Sequence, residues 1–528
     1  MNYRLHFSLF LIAFLTNISA IFAQTDISVL PKPKEIISGG DSFILDKKLN
    51  IYLDSKVNLD RLYVSSIFHE MGFVTYFTTK RDANLVILLD KKISKNNEGY
   101  TLKVEKRNVN QITAKAPSKN GLLYALQTAR QLINTSDFSI PVCIINDEPA
   151  FSWRAFMLDE SRHFHGMETV KTLLDEMVRL KFNTFHWHLV DDPGWRIEIK
   201  KYPKLTEIGS KRDFSHKEIT DEWDKLYPNR KMFYTQDEIR EIVKYAANRG
   251  IQIMPEIEVP GHASAAIYSY PWLGASSRKE GYGVWGDLYN VTDPEVETFL
   301  HDVLDEVIDL FPSKIVHIGG DEANYTHWQN NPEIIDFMKS NNLPTFSDLQ
   351  VWSINRFSRY LESKGVKMMG WNEITGDNIR GEAHVEASQS EMLAPGTIVH
   401  FWDGDISLVN KAIDKGYDVV NSNRHFTYLD YPYEVTPLEK AYSFNPIPEG
   451  LSPEKQSKIL GLGCQMWGEY TPTTERIYYQ TFPRIAAFSE CGWTKYEDKD
   501  FNDFRNRLKP IETIWKRKGF LKTQLDKY

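Results

Sequence analysis

The sequence predicts an α/β chain in which a (β/α)8 TIM barrel is preceded by a smaller α+β domain. Three observations carry this. From Phe151 onward short apolar runs alternate with helical patterns, and eight strand candidates can be counted. Such alternation builds a parallel sheet, and eight repeats suit a closed one. The residues with chemical potential fall at the C-terminal ends of those candidates, which in a barrel converge on one mouth. The stretch before Phe151 has strands and a helix of its own but no catalytic constellation. A chain of 528 residues is also too long for one ordinary domain.

The elements follow in chain order. Residues 1–23 read as a secretory signal peptide: Arg4 supplies the positive charge, Leu9 to Leu15 the apolar core, and Ile21-Phe22-Ala23 the cleavage site, so the mature chain starts at Gln24. Asn17 and Ser19 interrupt the apolar run, which argues against a permanent anchor, and no later segment is apolar enough to span a bilayer. The reading is an exported protein, periplasmic or secreted. Residues 24–148 form the α+β supporting domain, with strands at Leu49–Leu53, Ala83–Leu89 and Gly99–Val104 and a helix at Asn120–Ile133 whose leucines share one face. Residues 149–495 form the barrel. Its strands are Ala155–Asp159, Thr184–Leu189, Gln252–Ile257, Ile315–Ile318, Lys367–Trp371, Thr397–Phe401, Asp418–Asn421 and Ile459–Gln465. Helical patterns lie between them, as at Val170–Leu180, Thr235–Asn248, Pro294–Leu310 and Ser347–Lys364. Residues 496–528 are a helical tail packed on the barrel, with its helix from Phe501 to Trp515.

Composition narrows the function. A hydrophobic content of 42% supports a large core, and a net charge of −8 argues against nucleic acid and anionic membrane as partners. The 13 Trp residues include candidates for sugar platforms, because an indole face covers the C–H face of a pyranose. Cys143, Cys464 and Cys491 are too few for a disulfide framework; they are three buried thiols, or one bridge between Cys464 and Cys491 with a thiol left over. Their spacing does not suggest zinc. No motif specifies an oligomeric state.

The most informative segment is Lys314-Ile315-Val316-His317-Ile318-Gly319-Gly320-Asp321-Glu322. Strand side chains alternate between faces, so adjacent acids share one site only where regular pairing stops, and the two glycines permit that break. Crowded like charges resist joint ionisation, which favours one acid kept protonated beside an anion. Glycosidic cleavage needs such a donor. Asp159 and Arg162 follow the first strand; His188, Asp191 and Asp192 the second; Glu256, Glu258 and His262 the third. Trp371, Trp402, and Trp467 with Glu469 end the fifth, sixth and eighth.

Five ordered motifs resemble family-20 glycoside hydrolases, the β-N-acetylhexosaminidases. They are Phe151-Ser152-Trp153-Arg154 with Asp159-Glu160-Ser161-Arg162-His163-Phe164, Asn183 to Asp192, Pro255 to His262, His317 to Glu322, and Gln465-Met466-Trp467-Gly468-Glu469. The likeness runs from the α+β domain to about Trp493. Ala155 departs from the family's usual glycine after Trp-Arg, and a small packing change is expected there. The resemblance implies a substrate-assisted, retaining mechanism without a cofactor or metal, in which the substrate's 2-acetamido oxygen attacks the anomeric carbon. It implies Glu322 as general acid, Asp321 as acceptor of the acetamide N–H, and Tyr428, in Tyr428-Leu429-Asp430, as donor to the acetamide oxygen. Arg162, Asp430 and Glu469 would hold ring hydroxyls. Trp371, Trp402 and Trp467 would wall the pocket. Asp191 and His262 would tune Glu322. A negative Asp430 would repel sulfated sugars, leaving neutral terminal β-GlcNAc or β-GalNAc on a glycan as substrate. Two rival readings stand beside this one. One is a non-catalytic glycan-binding barrel, against which the paired acids speak. The other is a metal-dependent hydrolase using His186, His188, Asp191 and Asp192, which lacks a third strong ligand in position.

Overall fold

The structure, a computed structural model, describes residues 27–211, 231–377, 386–388 and 392–521. The signal-peptide reading falls outside the described residues. Eight parallel strands close a barrel in chain order: Trp153–Asp159, Thr184–His188, Gln252–Glu256, Ile315–His317, Lys367–Trp371, Ile398–Phe401, Asp418–Asn421 and Ile459–Met466, the last pairing with the first. Register sets Asp159 opposite His188, His188 opposite Glu256, and Glu256 opposite His317, so these four share one level and one face near the barrel's C-terminal end. Deeper in the barrel, below His186, the interior turns apolar. Ala155 packs there with Trp153, Met254, Met369, Ile398 and Val420. The extra methyl over glycine is therefore absorbed inside the barrel, away from the mouth.

The outer helices are amphipathic, and their ends are written in the sequence. Gln236–Asn248 starts at a capping box between Thr235 and Glu238. Pro294–Leu310 begins with proline after an Asp293 cap, and its Val296, Phe299, Leu300, Val303 and Val307 face the strands. The C-terminal helix Phe501–Arg517 buries Phe504, Leu508, Ile511 and Trp515, and the Trp515 indole donates to Glu176 at 2.8 Å.

Ahead of the barrel stands a seven-stranded mixed sheet. Its order is Glu35–Ile44, Ser139–Asp147, Tyr100–Glu105, Gln111–Ala116, Leu85–Leu89, Lys48–Leu53 and Val74–Phe77. Arg61–His69 and Lys119–Leu132 bury apolar faces in its core. A buried polar seam joins this domain to the barrel. Lys181 Nζ donates to Asp147 and to the Tyr100 hydroxyl, both at 2.9 Å, and the Trp493 indole donates to Asp147 at 2.9 Å. Arg154 makes a two-pronged bond to Glu98, each arm 2.9 Å. Cys143, Cys464 and Cys491 are all free and buried, so the bridge between Cys464 and Cys491 does not form. Among the described residues no helix is long and apolar enough to cross a membrane.

Candidate active site

The fourth strand ends at His317, and the chain then turns sharply. Gly319 and Gly320 take φ of +64° and +95°, and Glu322 takes +48°. A side chain at Gly319 would collide with the Glu258 carboxyl. Glycine is thus required twice over, for its dihedral and for the close approach. The turn brings Asp321 into the interior at 7% exposure, while the Glu322 side chain stays 40% exposed. His262, after the third strand, is also left-handed at φ +47°. Two non-glycine residues in this region at one mouth mark a strained, over-determined site.

His262 links the acids. Its Nδ1 lies 3.2 Å from Asp191 and 3.4 Å from Asp192, and its Nε2 lies 3.7 Å from Asp321 and 3.9 Å from Glu322. The last two are ion-pair separations, too long for hydrogen bonds. Burial opposes a charge on His262, yet Asp191, Asp192 and Asp321 outweigh it and raise its pKa well above the usual histidine range. Burial likewise opposes ionisation of Asp191, but Arg162 and His262 hold its carboxyl well below the ordinary value. Arg162 reaches Asp191 at 2.8 Å, Asp159 at 3.0 Å and Glu469 at 3.7 Å, with its guanidinium 5.2 Å from the Trp467 ring. The structural pairing of Arg162 with Asp159 and its place at the mouth therefore coexist.

The remaining strand ends supply an aromatic wall. Trp371, Trp402 and Tyr428 form a cluster separate from the main core, with Trp467 and Tyr431 against it. Trp402 and Tyr428 lie nearly parallel at 6.3 Å, and Trp467 is 5.8 Å from Trp371 and 6.0 Å from Tyr428. Tyr428 sits beside Gln465 through a single parallel bridge, which ties the loop after the seventh strand to the eighth. Every residue proposed from the sequence stands in this mouth or directly beneath it.

Several buried polar atoms here have no partner among the described residues. They include Asp321 Oδ1, Asp430 Oδ1, both Glu258 carboxyl oxygens, and the indole nitrogens of Trp371 and Trp467. Buried polar groups are rarely left unpaired, and a group of them around one opening suits a polar ligand.

Two carboxyls at the mouth resist charge. Burial, opposed by His262 and reinforced by the neighbouring Glu322, pushes Asp321 up to about 7. Burial and Glu469 push Asp430 up to about 8, so at neutral pH it holds its proton and does not by itself repel a sulfate. The acid that resists charge is the one that cannot reach water, and spacing in sequence does not reveal burial.

Other groups were missed. Glu256 lies against three imidazoles: it is hydrogen-bonded to His188 Nδ1 at 2.5 Å, with His317 Nδ1 at 2.8 Å and His186 Nε2 at 2.9 Å. Burial pushes His186 down to about 4. His188 turns its other nitrogen to Asp191 at 2.8 Å. Glu373, after the fifth strand, accepts from the Trp402 indole, and burial with Asp321 beside it pushes it up to about 8. The rule that found the other acids, a carboxylate just past a barrel strand, also points to Glu373 in Gly370-Trp371-Asn372-Glu373. The rival metal set is divided: His186 and His188 meet Glu256, while Asp192 accepts from the Ser264 N–H and hydroxyl. Groups close enough to share a cation do exist among the described residues, such as His186, Glu256 and His317.

Residues 151–496 match the family model for the glycosyl hydrolase family 20 catalytic domain, and residues 26–148 match that family's domain 2. The chain belongs to glycosyl hydrolase family 20. It is 34% identical over 515 residues to a beta-hexosaminidase of Porphyromonas gingivalis, covering 91% of this chain and 62% of that one. A Vibrio furnissii beta-hexosaminidase is 33% identical, with 88% of this chain and 76% of the relative covered. The chain thus spans about three fifths of the Porphyromonas relative. Among solved structures, the Flavobacterium johnsoniae chitobiase superposes with a TM-score of 0.77 at 33% identity, covering 93% of this chain and 73% of its own. The Vibrio harveyi exo beta-N-acetylglucosaminidase in complex with N-acetylglucosamine gives 0.79 at 29% identity, covering 93% and 77%.

Proposed function

We propose that this family-20 chain is an exo-acting, retaining β-N-acetylhexosaminidase that removes terminal non-reducing β-linked GlcNAc or GalNAc from glycans. The observation that carries the reading is the buried Asp321 carboxyl, one oxygen of which has no hydrogen-bond partner, set beside Glu322 at the mouth that the indoles wall. Asp321 accepts the acetamide N–H and turns the acetamide oxygen toward the anomeric carbon. Tyr428 donates to that oxygen as it becomes the nucleophile. Holding the nucleophile on the substrate itself replaces an encounter with an intramolecular attack. Glu322, partly open to solvent, protonates the leaving oxygen and then takes a proton from the water that opens the oxazolinium ring. His262, held in its charged form by Asp191, places positive charge behind the two acids. Arg162, Asp430 and Glu469 hold the hydroxyls at the far end of the sugar. Once a sugar N–H reaches it, Asp321 gains the partner that burial denied it and works as an anion.

A chromogenic β-GlcNAc substrate tests this. Wild type should hydrolyse it with the β-anomer of GlcNAc as first product, and Glu322→Gln should lower kcat about 10²–10⁴-fold. An α-anomer, or full activity in Glu322→Gln, would refute the reading. We propose in addition that residues 1–23 direct export; N-terminal sequencing of the exported protein should begin at Gln24.

A further inference from the structure

The indole of Trp402 is fixed by the two residues that follow Trp371. Asn372 accepts the Trp402 backbone N–H at 3.0 Å and donates to the Asp403 carbonyl at 3.1 Å. Glu373 accepts the Trp402 indole N–H with both carboxyl oxygens, at 3.0 and 3.2 Å. On the other side the Arg424 backbone N–H donates to the Trp402 carbonyl at 2.8 Å, and Trp402 faces Tyr428 with 10° between the ring planes. One 3₁₀ turn, Asn372–Thr375, thus holds both the backbone and the ring of a tryptophan on the next strand. A flat indole can slide or tilt about its side-chain bonds, and the Glu373 bond removes that freedom.

We propose that Glu373 is a positioning residue that sets the depth of the 2-acylamino pocket by locking the Trp402 indole, and so makes the enzyme select N-acetyl over larger N-acyl sugars. The inference rests on the reading that Trp402 walls the acetamide. Rejecting one extra methylene depends on a wall that does not yield. A rigid, hydrogen-bonded ring rejects it better than a mobile one. Burial, with Asp321 nearby, keeps the Glu373 carboxyl largely protonated at neutral pH. Glutamine therefore reproduces its charge as well as its acceptor oxygen.

The test is kcat/KM for 4-nitrophenyl β-glycosides of N-acetyl-, N-propionyl- and N-butyrylglucosamine, with wild type, Glu373→Gln and Glu373→Met. Methionine keeps the volume and cannot accept the indole N–H. Glu373→Met should lose about tenfold in the N-acetyl to N-butyryl preference, mainly through a higher KM for the acetyl substrate and a lower one for the butyryl. Glu373→Gln should keep the wild-type preference. In a Trp402→Phe background, which has no indole N–H, adding Glu373→Met should leave the preference unchanged. An unaltered preference in Glu373→Met overturns the proposal, as does a loss equally large in Glu373→Gln. If wild type shows no N-acetyl preference, the acetamide-pocket reading fails instead, and the two failures are told apart. The preference is a ratio measured on whatever fraction folds, so reduced yield does not blunt it.

Discussion

Two buried charged clusters in this molecule are built to opposite rules. At the seam between the domains each charge meets an opposite one: Lys181 meets Asp147, and Arg154 grips Glu98. Burial opposes ionisation of Glu98, yet Arg154 wins and its carboxyl sits below the ordinary value. At the barrel mouth Asp321, Glu373 and Asp430 have, among the described residues, no basic side chain within hydrogen-bond reach, and burial pushes all three up, in Asp321 against the pull of His262 3.7 Å away. The contrast separates structure from function. Paired charges hold two domains in register. Carboxyls left without a hydrogen-bonded cation cost stability and make sense only if something else supplies the partner.

Three changes would break or sharpen this contrast. The largest effect is expected from Lys181→Met, which leaves Asp147 buried without its cation. It should lower unfolding stability by about 3–5 kcal/mol, with kcat/KM of the folded enzyme unchanged, measured by urea unfolding and assay. A loss of activity without loss of stability would contradict the division of roles. Asp321→Asn should do the reverse. Its kcat should fall about 10²–10³-fold with no loss of melting temperature.

Asp430→Asn gives the smallest and most diagnostic shift. A carboxyl raised in the folded state contributes stability that is fully present below its unfolded value and is lost as pH rises through the folded one, here about 8. The variant's unfolding free energy should match wild type at pH 4, exceed it increasingly as pH rises toward about 8, at a slope of at most about 1.4 kcal/mol per pH unit, and level off above. Glu98 has the opposite sign: its stabilisation is present above the unfolded value and fades as pH falls through the depressed folded one. The seam therefore weakens in acid and the mouth in base.

Much of this was readable without coordinates. The barrel strands expected at Lys367–Trp371 and Asp418–Asn421 have those bounds, and Pro294–Leu310 is a helix from end to end. The two strands are short and fenced by turn residues, and the helix carries one apolar stripe, so periodicity marks them well. Glu35–Ile44 left no such signal, since all but one of its residues are exposed at the sheet edge. At the site, the residues past strand ends were found because topology alone gathers them. The pairing of Glu256 with three histidines was not, because it depends on register between strands about sixty residues apart. Which acid resists charge also escaped, because burial arises from packing contributed by the whole barrel.

The central claim is that the sugar's own amide completes the mouth. The most direct test compares kcat/KM of wild type for 4-nitrophenyl N-acetyl-β-glucosaminide and 4-nitrophenyl β-glucoside, which differ only at C2. A preference for the acetamide of about 10⁴-fold or more is expected, since the glucoside brings neither nucleophile nor partner for Asp321. Comparable rates on the two substrates would contradict the account.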